Sequence, residues 1–219
     1  MNILVIAPHA DDEILGVGGT IAKHIANNDS VYVCVVTKPV EPVFREELVE
    51  TIRKETLSSH RYLGITDTFF LELPSVMLED IPRYQLNDKL QQIVDKVNAE
   101  IVYIPHFGDM QKDHKIVCEA AMVALRPKNN KINAIYIYET LSETEWNVPH
   151  SANAFIPNSF VDISEFLDKK IKAMEFFRSQ MSPFPCPRSQ EAIMSLAKLR
   201  GSTVNVTAAE AFMLVREIR

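Results

Sequence analysis

His9, Asp11, Asp12 and Glu13 set one imidazole and three carboxylates within five residues, directly after an apolar run. A histidine and a carboxylate three residues apart can converge on one metal ion, leaving a second carboxylate free to handle protons. The plainer reading is a hydrogen-bonded histidine followed by acids that cap a helix, because a helix start offers free N–H groups and a positive dipole end. A cap accounts for one acid, and Glu13 suits it best. It does not account for three acids and a histidine together.

The flanking elements decide where such a group would sit. Residues 1–7 (MNILVIA) form a short β-branched apolar run, which predicts a strand buried on both faces. From Ile14 onward the chain reads as a helix, so the acids fall in the turn between them. In open α/β sheets the carboxyl edge of the strands is where ligands bind. Further strands are expected at 31–37, 68–73, 101–105 and 134–138, with helices over 45–63 (Leu48, Ile52, Leu57 and Leu63 inward), 83–97 and 110–125. Strands alternating with helices predict an α/β fold, a Rossmann-like doubly wound and mostly parallel sheet.

Beyond Glu139 the pattern changes. Residues 140–159 are polar and irregular, and Phe160-Val161 fits a short strand. Ser164 is expected to cap a helix running to about 180, Ser189 to Arg200 to form another stopped by Gly201, and 208–218 to be helical again. The prolines of Pro183-Phe184-Pro185-Cys186-Pro187 demand an ordered loop or lid. The chain thus reads as one domain, with a core over about 1–139 and a helical C-terminal covering segment over about 140–219. Gly16-Val17-Gly18-Gly19 lacks the G-x-G-x-x-G spacing of a nucleotide site and reads as close helix packing.

The segment Pro8-His9-Ala10-Asp11-Asp12-Glu13 resembles the PHPDDE-type signature of the LmbE/PIG-L family of zinc-dependent N-acetyl-sugar deacetylases. That family carries a second histidine motif about a hundred residues later, and Asp109-Met110-Gln111-Lys112-Asp113-His114 matches its place. The resemblance implies that His9, Asp12 and His114 bind Zn2+, that Asp11 is the general base, and that the substrate is a small N-acetylated amino sugar or its conjugate. Family members usually carry a histidine three residues before the last ligand, as the acid for the leaving amine. Here that position is Gln111, which cannot donate a proton as an acid. Two residues could fill the role, Asp11 itself or His106 at the end of the fourth strand, although His106 fits a plain core histidine equally well. Asp113 is expected as a hydrogen-bonding support for the ligands. Arg53 falls where the family tends to carry a substrate-facing helix arginine, and a solvated helix face explains it as readily.

Trp146 could stack on a sugar or anchor its loop, and Arg188 could pair with a phosphate or carboxylate. His24 and His60 read as structural. The rivals to deacetylation are a zinc amidohydrolase acting on a non-sugar amide, and a sugar-binding protein without catalysis.

At 219 residues and 47% hydrophobic content the chain can bury a full core. A net charge of −6 with mixed signs gives no nucleic-acid footprint, and no run is long enough for a membrane span. Its three scattered cysteines and the absence of a leader-type start place the expected compartment in the cytoplasm. Composition leaves the oligomeric state open, a homo-oligomer included.

Overall fold

A computed structural model describes residues 1–127 and 131–218. In chain order the elements are β1 (Asn2–Ala7), α1 (Asp12–Ala26), β2 (Ser30–Lys38), α2 (Glu46–Leu63), β3 (Asp67–Pro74), α3 (Arg83–Val97), β4 (Ile101–Pro105), α4 (Lys112–Ala124), β5 (Ala134–Tyr138), β6 (Ser159–Asp162), α5 (Leu167–Met174), α6 (Gln190–Thr203) and β7 (Ala209–Glu217). The strands form one sheet in the order β3-β2-β1-β4-β5-β7-β6. β1 to β5 run parallel, with Ile3 opposite Val31 on one side and Ile101 on the other.

Both faces of the sheet are covered, which is why the strands read as continuous apolar runs. Ile3 and Val5 pack with Ile14, Val17 and Ile21 of α1 and with Ile171 and Phe177 beyond it. Leu4 and Ile6 face the opposite way, onto Leu86, Leu90 and Val94 of α3 and Val117 and Ala121 of α4. From β1 the chain winds outward through β2 and β3, then returns to place β4 on the other side of β1. That reversal opens a crevice past the carboxyl ends of β1 and β4, the position where doubly wound sheets bind ligands.

The glycines of α1 serve close packing, as expected. A Cβ on Gly16 would run into the Tyr138 ring, and one on Gly19 into Ile163. α1 therefore lies deep against β5 and the chain after β6, and its first turn is pinned at the crevice.

Several expectations need correction. Residues 208–218 are not helical: β7 pairs antiparallel with both β5 and β6. Adjacent Phe212 and Met213 pack into opposite layers, a period of two that only a strand delivers. The open edge of β5 supplies a partner that local periodicity cannot reveal. α5 is shorter than expected, and Ser164 does not cap it. The Ser164 hydroxyl instead donates to Asp162 and accepts the Ala208 N–H. Gly201 does not stop α6, which Ser189 caps through the Ala192 N–H and which runs on to Thr203. Gly201 lies where a side chain would strike the backbone of Val206 and Ala208. On α2 the buried face is Thr56, Ser59, His60 and Leu63, while Leu57 is exposed. None of the described helices is long and apolar enough to cross a membrane.

Candidate metal and catalytic centre

The turn after β1 brings His9 beside Asp12, and the first turn of α4 brings His114 to the same point. Asp12 Oδ2 lies 3.2 Å from His9 Nδ1 and 3.2 Å from His114 Nε2. Ligands bonded to one tetrahedral zinc at about 2.0–2.2 Å stand roughly 3.3–3.6 Å apart, so these three atoms are spaced to share an ion. Among the described residues the buried His114 Nε2 has no hydrogen-bond partner, and neither has Asp12 Oδ1. An imidazole nitrogen buried without a partner is costly in a finished hydrogen-bond network and ordinary in a ligand.

Each histidine is held at its other nitrogen by a carboxylate. Asp113 Oδ2 lies 3.0 Å from His9 Nε2, and also accepts the Val76 N–H at 2.7 Å. Asp109 Oδ2 lies 2.8 Å from His114 Nδ1, and its Oδ1 accepts the Thr144 hydroxyl at 2.6 Å. Such contacts fix the tautomer and ring orientation that a metal ligand needs. Asp113 therefore reaches the distant His9 and not its chain neighbour His114.

Charge points the same way. Burial would lower the His114 imidazole, yet Asp12 and Asp109 outweigh it and hold it well above its ordinary value. Burial would raise Asp12, yet His114 and His9 hold its carboxyl well below the usual range. A site that favours positive charge this strongly, among several buried carboxylates, is suited to a cation.

Asp11 stands beside this group without joining it. Its backbone takes φ 103°, a left-handed conformation uncommon for any residue but glycine. Glu13 secures it: Oε2 accepts the Asp11 N–H at 3.1 Å, while Oε1 lies 2.9 Å from His60 Nε2. Glu13 is thus tied to the helix start, as its expected capping place suggested. His60 is in turn 2.7 Å from the Thr68 hydroxyl. Burial pushes the Asp11 carboxyl up to about 8, against the pull of Arg188. Arg188 follows the proline-rich loop and comes within 3.1 Å of Asp11 Oδ2, while also bonding Ser142 and Gln180.

The other expected residues divide. Gln111 is at the start of α4, with a buried side-chain oxygen that has no hydrogen-bond partner among the described residues. His106 is fully buried between Phe107 and Phe155, with Nε2 on the Asn153 carbonyl at 3.0 Å. Arg53 pairs with Glu72 and lies over the Phe70 ring at 4.1 Å, and no hydrogen bond or ion pair joins it to the centre among the described residues. Trp146 is 55% exposed in the turn after β5.

That turn, 140–147, holds what the sequence reading missed. Ser142 meets Arg188, Thr144 meets Asp109, and Glu143 accepts the Gln111 N–H at 3.0 Å. Of its acids, Glu145 accepts the Ser142 N–H, and Glu139 just before it pairs with Arg200. No local pattern separates Glu143 from them. The useful signal is its place just past a parallel strand, at the ligand-binding edge.

Residues 4–125 match the family model described as PIG-L: GlcNAc-PI de-N-acetylase. The chain belongs to that family, and with it to the metal-dependent deacetylases, hydrolases that release an acyl group from nitrogen. It is 27% identical over 194 residues to a Bacillus anthracis protein named probable N-acetyl-alpha-D-glucosaminyl L-malate deacetylase 2, covering 83% of this chain and 82% of that one. Among solved structures, the conserved protein TT1542 from Thermus thermophilus superposes with a TM-score of 0.81 at 26% identity, over 100% of this chain and 96% of that one. An N,N'-diacetylchitobiose deacetylase from Pyrococcus horikoshii shares the fold, with a TM-score of 0.76 at 23% identity over 97% and 83% of the two chains.

Proposed function

We propose that this protein hydrolyses the acetamide of an N-acetylated amino sugar or its conjugate, using zinc held by His9, Asp12 and His114. The observation that carries the reading is the convergence of His9 Nδ1, Asp12 Oδ2 and His114 Nε2, with the carboxylate of Asp11, held by Arg188, outside that set. Bound there, zinc would supply the Lewis acidity that polarises an acyl oxygen and brings the pKa of water to about 7. Three protein ligands are the number found in catalytic zinc sites, whereas structural sites are closed by four.

The chain's own residues supply the rest. Asp113 and Asp109 keep His9 and His114 turned toward the shared point. Asp11 accepts the proton of the attacking water, and its raised carboxyl is matched to a water of near-neutral pKa. Arg188 holds Asp11 in place, and its guanidinium supplies the positive charge to meet an anionic portion of the substrate. Trp146 offers an exposed ring for a sugar face. The free thiols of Cys34, Cys118 and Cys186 support a reducing compartment, the cytoplasm.

The test loads the protein with zinc and supplies N-acetylglucosaminyl L-malate and N,N'-diacetylchitobiose, with acetate release as the readout. Acetate from either, lost on chelation and restored by zinc, supports the reading. A zinc-loaded protein that releases none from both overturns the amino-sugar assignment.

A further inference from the structure

Amide hydrolysis creates an amine that must gain a proton before its bond to carbon breaks. Asp11 takes the proton of water, and passing that same proton on to nitrogen is the alternative that the test below separates. Gln111 has only an amide. The His106 ring is enclosed by Phe107 and Phe155 and spends Nε2 on the Asn153 carbonyl. Glu143 is placed to be a separate acid.

The turn carrying Glu143 is fastened to the loop that leads into α4. The Met110 N–H donates to the Glu143 carbonyl at 3.1 Å, and Asn147 Nδ2 donates to the Gly108 carbonyl at 2.6 Å. Together with Thr144 on Asp109, these bonds fix the side chain relative to His114. Glu143 is 6% exposed, with Oε2 on the Gln111 N–H. Its Oε1 makes no hydrogen bond among the described residues. The charges of His114, Asp12 and His9 all act on this carboxyl, and its own charge acts on Arg188. It therefore belongs to the same enclosed group of charges, from the turn after β5 and not from the one after β1 that supplies Asp11.

We propose that Glu143 is the catalytic acid that protonates the departing amine, an inference that rests on the deacetylase reading. Water adds to the acetyl carbon and gives one proton to Asp11. As the C–N bond breaks, its electron pair stays on nitrogen, and the carboxyl O–H of Glu143 delivers the proton to that nitrogen. Acetic acid and a free amine leave, the acid ionising in solvent, while Asp11 releases its proton and Glu143 regains one, so that both carboxyls return to their starting forms. Burial raises this carboxyl above its ordinary value, in the direction that keeps a proton available, although His114 pulls the other way.

The test compares two leaving groups in Glu143→Gln, which keeps the shape and can still accept the Gln111 N–H. The amide is whichever of the two acetylated sugars releases acetate, and the ester is 4-nitrophenyl acetate, whose phenolate departs without a proton. Expected is a loss of about 10²- to 10⁴-fold in kcat on the amide, with the ester rate within a few-fold of the parent and zinc content unchanged. Equal losses on both substrates, or an amide rate within a few-fold of the parent, would overturn the assignment. Should the parent not turn over the ester, formate rescue of amide hydrolysis in Glu143→Ala decides instead, and no rescue counts against Glu143. A parent that releases acetate from neither sugar refutes the deacetylase reading first, and this inference with it.

Discussion

Arg188 Nη1 lies 3.1 Å from Asp11 Oδ2, joining a loop near residue 188 to the first turn after β1. Asp11 is 1% exposed, next to Asp12 and Glu13 in the chain. Burial drives its carboxyl toward the protonated form, and Arg188 is the largest influence in the opposite sense. A base must be unprotonated to act, so the contact enlarges the share of Asp11 that is ionised near neutral pH.

Replacing Arg188 by Met retains the stem and removes the charge. The carboxyl of Asp11 then rises further, and a smaller share is ionised at pH 7. Acetate release is expected to fall about 10- to 100-fold, on the scale of losing part of the general-base contribution, with zinc content intact. The sign fixes the pH response: the deficit shrinks as pH rises, because the deprotonated form returns. A deficit constant from pH 6 to 9 would make Arg188 a substrate contact only.

Ligand and base separate by metal content. His114→Ala removes Nε2 from the shared point and is expected to lower zinc occupancy and activity together. Asp11→Asn keeps the side-chain shape but cannot take a proton from water, so zinc should remain while turnover drops by about 10²-fold or more. Elemental analysis beside the acetate assay distinguishes the two. Normal zinc in His114→Ala removes it from the ligand set, and lost zinc in Asp11→Asn adds Asp11 to it.

The contrast between what could and could not be read in the chain has a physical basis. β1, β4 and β5 are buried parallel strands whose residue types state their role, and β4 and β5 fall at 101–105 and 134–138 as expected. His9, Asp12 and His114 were legible because two of them are local to one turn and the third follows a strand of the same sheet. β7 was not, because its partner β5 lies between 74 and 83 residues earlier and Phe212 and Met213 reveal their period only when both layers are present. Glu143 and the Arg188–Asp11 contact were hidden for a related reason. Both come from irregular loops, where spacing carries no geometry, and only the folded crevice brings them to the strand ends.

A chain of buried contacts behind Asp11 yields the last prediction. The Thr68 hydroxyl of β3 meets His60 Nδ1 of α2, His60 Nε2 meets Glu13 Oε1, and Glu13 Oε2 accepts the N–H of Asp11. Asp11 sits in a left-handed conformation, which costs free energy unless surrounding bonds impose it. Removing His60 leaves a Glu13 oxygen buried without a partner, at a cost of about 1–3 kcal/mol. In a chain of this size, each kcal/mol lowers Tm by about 2–4 °C. If His60 only stabilised the fold, turnover per folded molecule would be unchanged below that melting range. If it positions Asp11, kcat in His60→Ala falls about tenfold or more at constant zinc and similar KM, the scale expected when a general base loses its alignment. His60→Gln restores an N–H toward Glu13 and should recover much of kcat even where Tm stays low. Kinetics at 25 °C on the folded fraction, with Tm by circular dichroism, decide the matter. A His60→Ala protein with lowered Tm and the parent's kcat would make the relay purely structural.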